Sequence, residues 1–216
     1  APAVAWRRGR ACTVAIPYAT AAQSHGADAR DFDDAVWAEP DGDGWRILVA
    51  IADVAHYVRP GSALDREARL RGNSVYLPDR VVPMLPEALS NDLCSLRPNE
   101  TRAAMVAEIW IDAGGEMQDS RFHRALIRSS ARLTYDAVQA VHDGTATAAD
   151  IGIAPAIYDN LAGAWQALGI ARAHREPLAL NLKERRVVLD VDGTPVAISK
   201  RAQSESQRLI EDFMIA

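Results

Sequence analysis

Apolar residues along this chain switch between two periods, and the switches mark the elements. Ala35 to Ala38, the turn signal Asp41-Gly-Asp43-Gly44 and the β-branched apolar run from Trp45 to Val58 predict a β-hairpin leading into a buried strand. Ser62, followed three places later by Asp65, reads as a capping-box-like start. Leu64 to Arg71 keeps helical spacing, and Gly72 can close that helix in the left-handed conformation. Pro78, Pro83 and Pro86 exclude regular helix and central strand, which makes this stretch an ordered loop. Met105 to Asp112 and Met117 to Ile127, on either side of Gly114-Gly115, predict two strands around a tight turn. Thr134 caps a helix from Tyr135 to His142, and Pro155 opens a longer helix that runs to His174. Arg185 to Asp190, Asp192-Gly193 and Val196 to Ile198 predict a second hairpin. Ser204 opens a last helix with Leu209, Ile210, Phe213 and Met214 as its apolar face. Residues 1–24 fit neither period and stay unassigned, with a connector as their expected role. Strands in hairpins interleaved with helices predict an α+β fold of mixed sheets flanked by helices.

Composition narrows the class without choosing it. A chain of 216 residues, 49% hydrophobic, is long enough to bury a full core. Cys12 and Cys94 lie far apart with no CxxC spacing, which argues against a zinc knuckle or a disulfide framework and for a reducing, cytoplasmic setting. No apolar run approaches the length of a membrane span, and the amino terminus lacks the order of a secretory signal. Lys and Arg number 24 against 29 Asp and Glu, a net charge of −5. That is the wrong sign for gripping nucleic acid by phosphate neutralisation alone. A carboxylate-based metal nuclease can still carry it, provided the basic grip is local or comes from other domains.

The chemistry concentrates in Asp28-Ala-Arg-Asp31-Phe-Asp33-Asp34, four carboxylates in seven residues. Their mutual repulsion is costly unless water or a cation compensates. Hard oxygen ligands of this kind suit Mg²⁺ or Mn²⁺. Asp31 and Asp33 share one side of an extended segment and Asp34 faces away, so convergence of all three needs a bend. A solvated acidic turn is the plain alternative. An EF-hand lacks its glycine and distal glutamate here. Phe32 and Ala35-Val36-Trp37 anchor the segment in a core.

This run, with Ala35-Val36 after it, resembles the signature of the RNB family of exoribonucleases, and further blocks follow in family order. They are Val49-Ala-Ile-Ala-Asp53-Val, Gly72-Asn-Ser-Val-Tyr76-Leu-Pro, Pro83-Met-Leu-Pro86, Leu89-Ser-Asn-Asp92-Leu-Cys-Ser-Leu96 and Leu209-Ile-Glu211-Asp-Phe-Met-Ile-Ala216. The resemblance covers Gly26 to Ala216 and makes residues 25–216 the amino-terminal portion of an RNB catalytic domain. It implies a Mg²⁺-dependent hydrolase that takes single-stranded RNA 3′ end first and releases nucleoside 5′-monophosphates. It places Asp31 and Asp34 at the metal, Asp33 at the attacking water, Tyr76 on the last base and Tyr135 near the sugar. Glu211, or its neighbour Asp212, falls in the block that contributes an acid to ribose recognition.

Two departures qualify the resemblance. The family has a further metal aspartate six residues before the Asp31 position, where this chain offers His25 by direct counting or Ala22 by alignment of Pro17-Tyr-Ala-Thr20. Imidazole is a poor Mg²⁺ ligand, so weaker metal binding and trace or no mononucleotide release are expected. The family's arginine-bearing block and its cold-shock and S1 regions also find no counterpart in these residues. A catalytically impaired remnant acting as an RNA- or protein-binding scaffold is therefore the competing expectation.

Overall fold

A computed structural model describes residues 12–21, 32–175, 184–201 and 204–216. Five strands close into a barrel: β1 (Cys12–Ala21), β2 (Asp34–Asp41), β3 (Gly44–Ala52) and, after an excursion, β6 (Thr101–Ile111) and β7 (Met117–Leu133). Neighbours are antiparallel except for β1 and β7, which run parallel and close the ring. The excursion holds a single helical turn α1 (Val54–Tyr57), helix α2 (Ala63–Arg71), the small hairpin β4 (Val75–Tyr76) and β5 (Val81–Val82), and a π-helical turn at Leu89–Leu93. After the barrel come α3 (Tyr135–His142), α4 (Pro155–His174), the hairpin β8 (Glu184–Leu189) and β9 (Pro195–Arg201), and α5 (Glu205–Ile215). The α+β expectation holds, with the main sheet rolled into a barrel.

Alternation along the barrel strands separates two cores. Ala35, Leu48, Ala50, Ala52, Ala104, Val106, Ala125 and Ile127 form one cluster with Phe32, Leu89, Cys94 and Leu96. These positions face inward, and their small size suits the narrow interior of a five-strand barrel. The intervening positions Val36, Ala38, Ile47, Val49, Ile109 and Ile111 face outward and are covered by Leu161, Ala164, Ala167 and Leu168 of α4 and Leu209, Ile210 and Phe213 of α5. At the end of the barrel remote from Asp34, Arg46 of β3 pairs with Glu39 of β2 at 2.8 Å and with buried Glu108 of β6. That ion pair crosses three strands and fixes their register there.

Several expectations shift on folding. The run from Trp45 leaves the sheet at Ala52, because the Asp53 carboxylate accepts the His56 N–H at 3.1 Å and caps α1. The proline loop contains β4 paired with β5. Cys12–Ala21, unassigned from its pattern, is a full strand; its register slips between Val14 and Ala19, around Pro17, which cannot donate to a ladder. Met214 is an exposed member of α5, so the buried face of that helix is Leu209, Ile210 and Phe213. At α2, Ser62 Oγ accepts the Asp65 N–H at 3.1 Å while the Asp65 carboxylate reaches back to the Gly61 N–H at 2.8 Å, one residue short of a closed box. Helix α5 has the complete box, Ser204 with Gln207. Gly115 closes the β6–β7 turn at φ +82°, and a Cβ there would lie 2.0 Å from the Ala167 carbonyl oxygen of α4. That turn can seat on the helix only because the residue is glycine.

Candidate active site

The segment that enters β2 is held by its backbone. The Phe32 N–H donates to Ser95 Oγ at 3.2 Å, the Leu96 N–H donates to the Phe32 carbonyl at 2.8 Å, and the Ala52 N–H donates to the Asp33 carbonyl at 2.9 Å. Ser95 has no exposed surface; the π-helical turn at Leu89–Leu93 delivers it under the acidic segment. Phe32 is buried in the inner core, and the Arg132 guanidinium lies 4.8 Å from its ring centroid. Asp33 and Asp34 are therefore fixed at the rim of the barrel by a loop some sixty residues away in sequence. Asp34 is 7% exposed and Asp33 is half-buried, on opposite sides of the extended backbone.

A second carboxylate pair of contacts sits beside them. Asp53, 6% exposed, takes Arg124 Nε at 3.0 Å and Arg124 Nη2 at 3.3 Å in a forked pair that joins the residue after β3 to β7. Burial pushes the Cys94 thiol above its ordinary value, and the negative charges of Asp33 and Asp53 push it further in the same direction. Asp33, Asp53 and Cys94 thus share one electrostatic neighbourhood.

The remaining expected site residues stand elsewhere. Tyr76 lies on β4, 49% exposed, in a hairpin whose Val75, Leu77, Val81 and Val82 are also exposed. Tyr135 begins α3, packs half-buried against the outer core, and lines a small apolar cavity with Val36, Leu161 and Leu209. Its carbonyl accepts the Ser206 hydroxyl at 2.9 Å, which ties α3 to α5. Glu211 is exposed on α5, and Asp212 accepts Trp165 Nε1 at 2.8 Å and Arg172 Nη1 at 2.7 Å from α4. Asp28, Asp31, His25 and Ala22 lie outside the described residues. Among the described residues no three His, Cys, Asp or Glu side chains gather as a metal site. Asp33 and Asp34 are still the right donors for Mg²⁺, which is commonly bound by one or two carboxylates with water completing its shell.

Sequence reasoning assigned no role to Ser95, Asp53, Arg124 or Arg132. Asp53 carried a signal, since a lone acid closing an apolar run must find a partner if it is buried. Nothing local identified Arg124 as that partner, 71 residues on.

The family model of the RNB domain matches residues 24–216. The chain belongs to the RNB family. This RNB domain is 42% identical over 193 residues to ribonuclease R of Escherichia coli, an alignment covering 88% of the chain and 24% of that relative. It superposes on Mycoplasma genitalium RNase R in complex with ribose-methylated single-stranded RNA with a TM-score of 0.85 at 32% identity, over 93% of the chain and 31% of that structure. The fold also matches yeast Ssd1, described as a pseudonuclease, with a TM-score of 0.59 at 20% identity, over 76% of the chain and 19% of the other. The RNB domain described here spans about a quarter of the length of the full-length relative from E. coli.

Proposed function

We propose that this RNB domain belongs to a 3′-to-5′ exoribonuclease that hydrolyses single-stranded RNA to nucleoside 5′-monophosphates with Mg²⁺ or Mn²⁺, in the cytoplasm. The observation that carries the reading is the Asp33–Asp34 pair, pinned to the barrel rim by Ser95, Leu96 and Ala52 in a chain of this family. RNA in complex with M. genitalium RNase R supports the choice of substrate. Family relatives about four times as long make further regions the natural partners of this domain.

Asp34, with Asp31, would hold the cation, both being hard oxygen donors. The chemistry a bound Mg²⁺ supplies is charge compensation at the scissile phosphate and at the leaving 3′ oxygen. Asp33, on the other side of the strand from Asp34, orients the attacking water and accepts its proton. Tyr76, exposed on its apolar hairpin, stacks on the terminal base without reading its identity. Tyr135 contacts the sugar. Glu211, or its neighbour Asp212, recognises the ribose 2′-hydroxyl.

The second reading, a catalytically impaired scaffold, is favoured by one observation: Gln23-Ser24-His25-Gly26 carries no aspartate where the family has one. A 3′-labelled single-stranded RNA separates the two. The nuclease reading expects metal-dependent release of labelled mononucleotide, slow with His25 in place, faster in His25→Asp, and lowered about 100-fold or more in Asp33→Asn. No metal-stimulated release from His25→Asp leaves the scaffold reading standing.

A further inference from the structure

The turn that carries Ser95 under the acidic segment is itself held from β6. Arg102 stands in the row of that strand that continues through Ala104 and Val106 into the inner core, and its side chain is 15% exposed. Its Nε donates to the Ser95 carbonyl at 3.1 Å, and its Nη2 donates to Asp92 Oδ1 at 3.2 Å and to a Glu100 carboxylate oxygen. Nη1 donates to the Thr101 carbonyl at 3.4 Å. A guanidinium engaged along its fork in this way is committed to the protein and has little left to offer a phosphate. Arg97 fastens the same turn, with Nη1 3.1 Å from Asp92 Oδ1 and Nη2 donating to the Asn91 carbonyl at 2.8 Å.

What Arg102 grips matters more than how firmly. The Ser95 carbonyl and the Leu96 N–H belong to one planar peptide group, so a donor fixed on the oxygen also fixes the direction of the N–H. That N–H donates to the Phe32 carbonyl at 2.8 Å, and Ser95 Oγ, on the other side of the same peptide group, accepts the Phe32 N–H at 3.2 Å. Asp33 follows Phe32 directly. The bond from the guanidinium to the carbonyl is charge-assisted and polarises the peptide group, which strengthens its N–H as a donor. One arginine therefore governs both hydrogen bonds that hold the residue before Asp33. A reacting group misplaced by about 1 Å can lose about 100-fold in rate.

We propose that Arg102 is a positioning residue for the exoribonuclease reaction: by holding the Ser95–Leu96 peptide group it sets where Asp33 stands, and it touches neither RNA nor cation. The proposal rests on the exoribonuclease reading.

The test is mononucleotide release from 3′-labelled single-stranded RNA by the His25→Asp protein with Mg²⁺, read as kcat and KM, together with amide hydrogen exchange of the same variants without RNA or metal. Arg102→Ala should lower kcat about tenfold or more while KM stays within about twofold. The Leu96 and Phe32 amides should exchange faster in it, relative to those of β3 and β6. Asp92 and Glu100 are about half exposed on their side chains, so the substitution strands no buried carboxylate. Arg102→Lys keeps the charge and the stem but not the fork; it should lose part of the rate, and it carries the test if the alanine variant does not fold. Gly115→Ala, at the other end of β6, is the control for a general loss of stability and should leave kcat unchanged. An unchanged kcat in the Arg102 variants, exchange at Leu96 and Phe32 no faster than in the strands, or an equal loss in Gly115→Ala overturns this proposal alone. No metal-dependent release from the His25→Asp parent removes the exoribonuclease reading together with it.

Discussion

Replacing Ser95 by alanine tests whether the acidic segment owes its position to the loop beneath it. Ser95 is fully buried, and its Oγ is the acceptor for the Phe32 N–H at 3.2 Å. The serine backbone stays satisfied in the variant, since its N–H donates to the Asp92 carbonyl at 3.0 Å and its carbonyl accepts Arg102 Nε at 3.1 Å. The loss therefore includes one buried amide, the Phe32 N–H. A buried donor left without a partner costs about 1–3 kcal/mol, and a neutral bond at the long end of the range belongs in the lower half, about 1–2 kcal/mol. For a domain near 200 residues that corresponds to a fall in Tm of about 2–8 °C. Urea unfolding should show a lower midpoint with an unchanged slope, and hydrogen exchange should show faster opening at Phe32 than in the strands β3 and β6. A change under about 0.5 kcal/mol with Phe32 as protected as before would refute the reasoning, because it would mean that the Leu96 and Ala52 amides hold the segment by themselves.

Two further predictions probe the packing around the site. Gly115→Ala places a Cβ against the Ala167 carbonyl at a backbone angle that L-residues rarely adopt, and it should destabilise the domain by about 1–3 kcal/mol in thermal melting; a melt unchanged from the parent shows that the β6–β7 turn does not bear on α4. Cys94 has a thiol raised by burial and then by Asp33 and Asp53, so the stability it contributes is present below the unfolded thiol value and is lost as pH rises through the folded one. In a Cys12→Ser background at alkaline pH, native protein should react with iodoacetamide more slowly than the urea-unfolded chain, and Asp33→Asn should react faster than the parent; equal rates in all three would contradict the shared neighbourhood of Asp33 and Cys94.

Much of the architecture could be read locally. The β2–β3 hairpin announces itself through Asp41-Gly-Asp43-Gly44, α4 runs from Pro155 to His174 as its opening proline and spacing predict, and Thr134 and Ser204 cap the helices they precede. These features depend on residues within a turn or two of one another, where side-chain spacing and capping chemistry decide the backbone. The acid pair Asp33–Asp34 and the order of the family blocks were equally local, and they carried the family assignment before any fold was known.

Other features required the closed barrel. Cys12–Ala21 has no clear period, and its strand state comes from pairing with β2 on one side and β7 on the other. Phe32 meets Ser95, and Asp53 meets Arg124, across 63 and 71 residues. The partners of Asp212 could not be read from α5 either, because Trp165 and Arg172 reach it from another helix. Met214 keeps helical spacing with the buried face yet stays at the surface, because the outer core takes only Leu209, Ile210 and Phe213 from α5. By itself the sequence determined which segments bury a face and where the carboxylates cluster, since both follow from spacing along one chain. Only the tertiary structure decided which groups surround those carboxylates. Periodicity says that a face is covered, but the covering residue is chosen by the register at which distant strands close on one another.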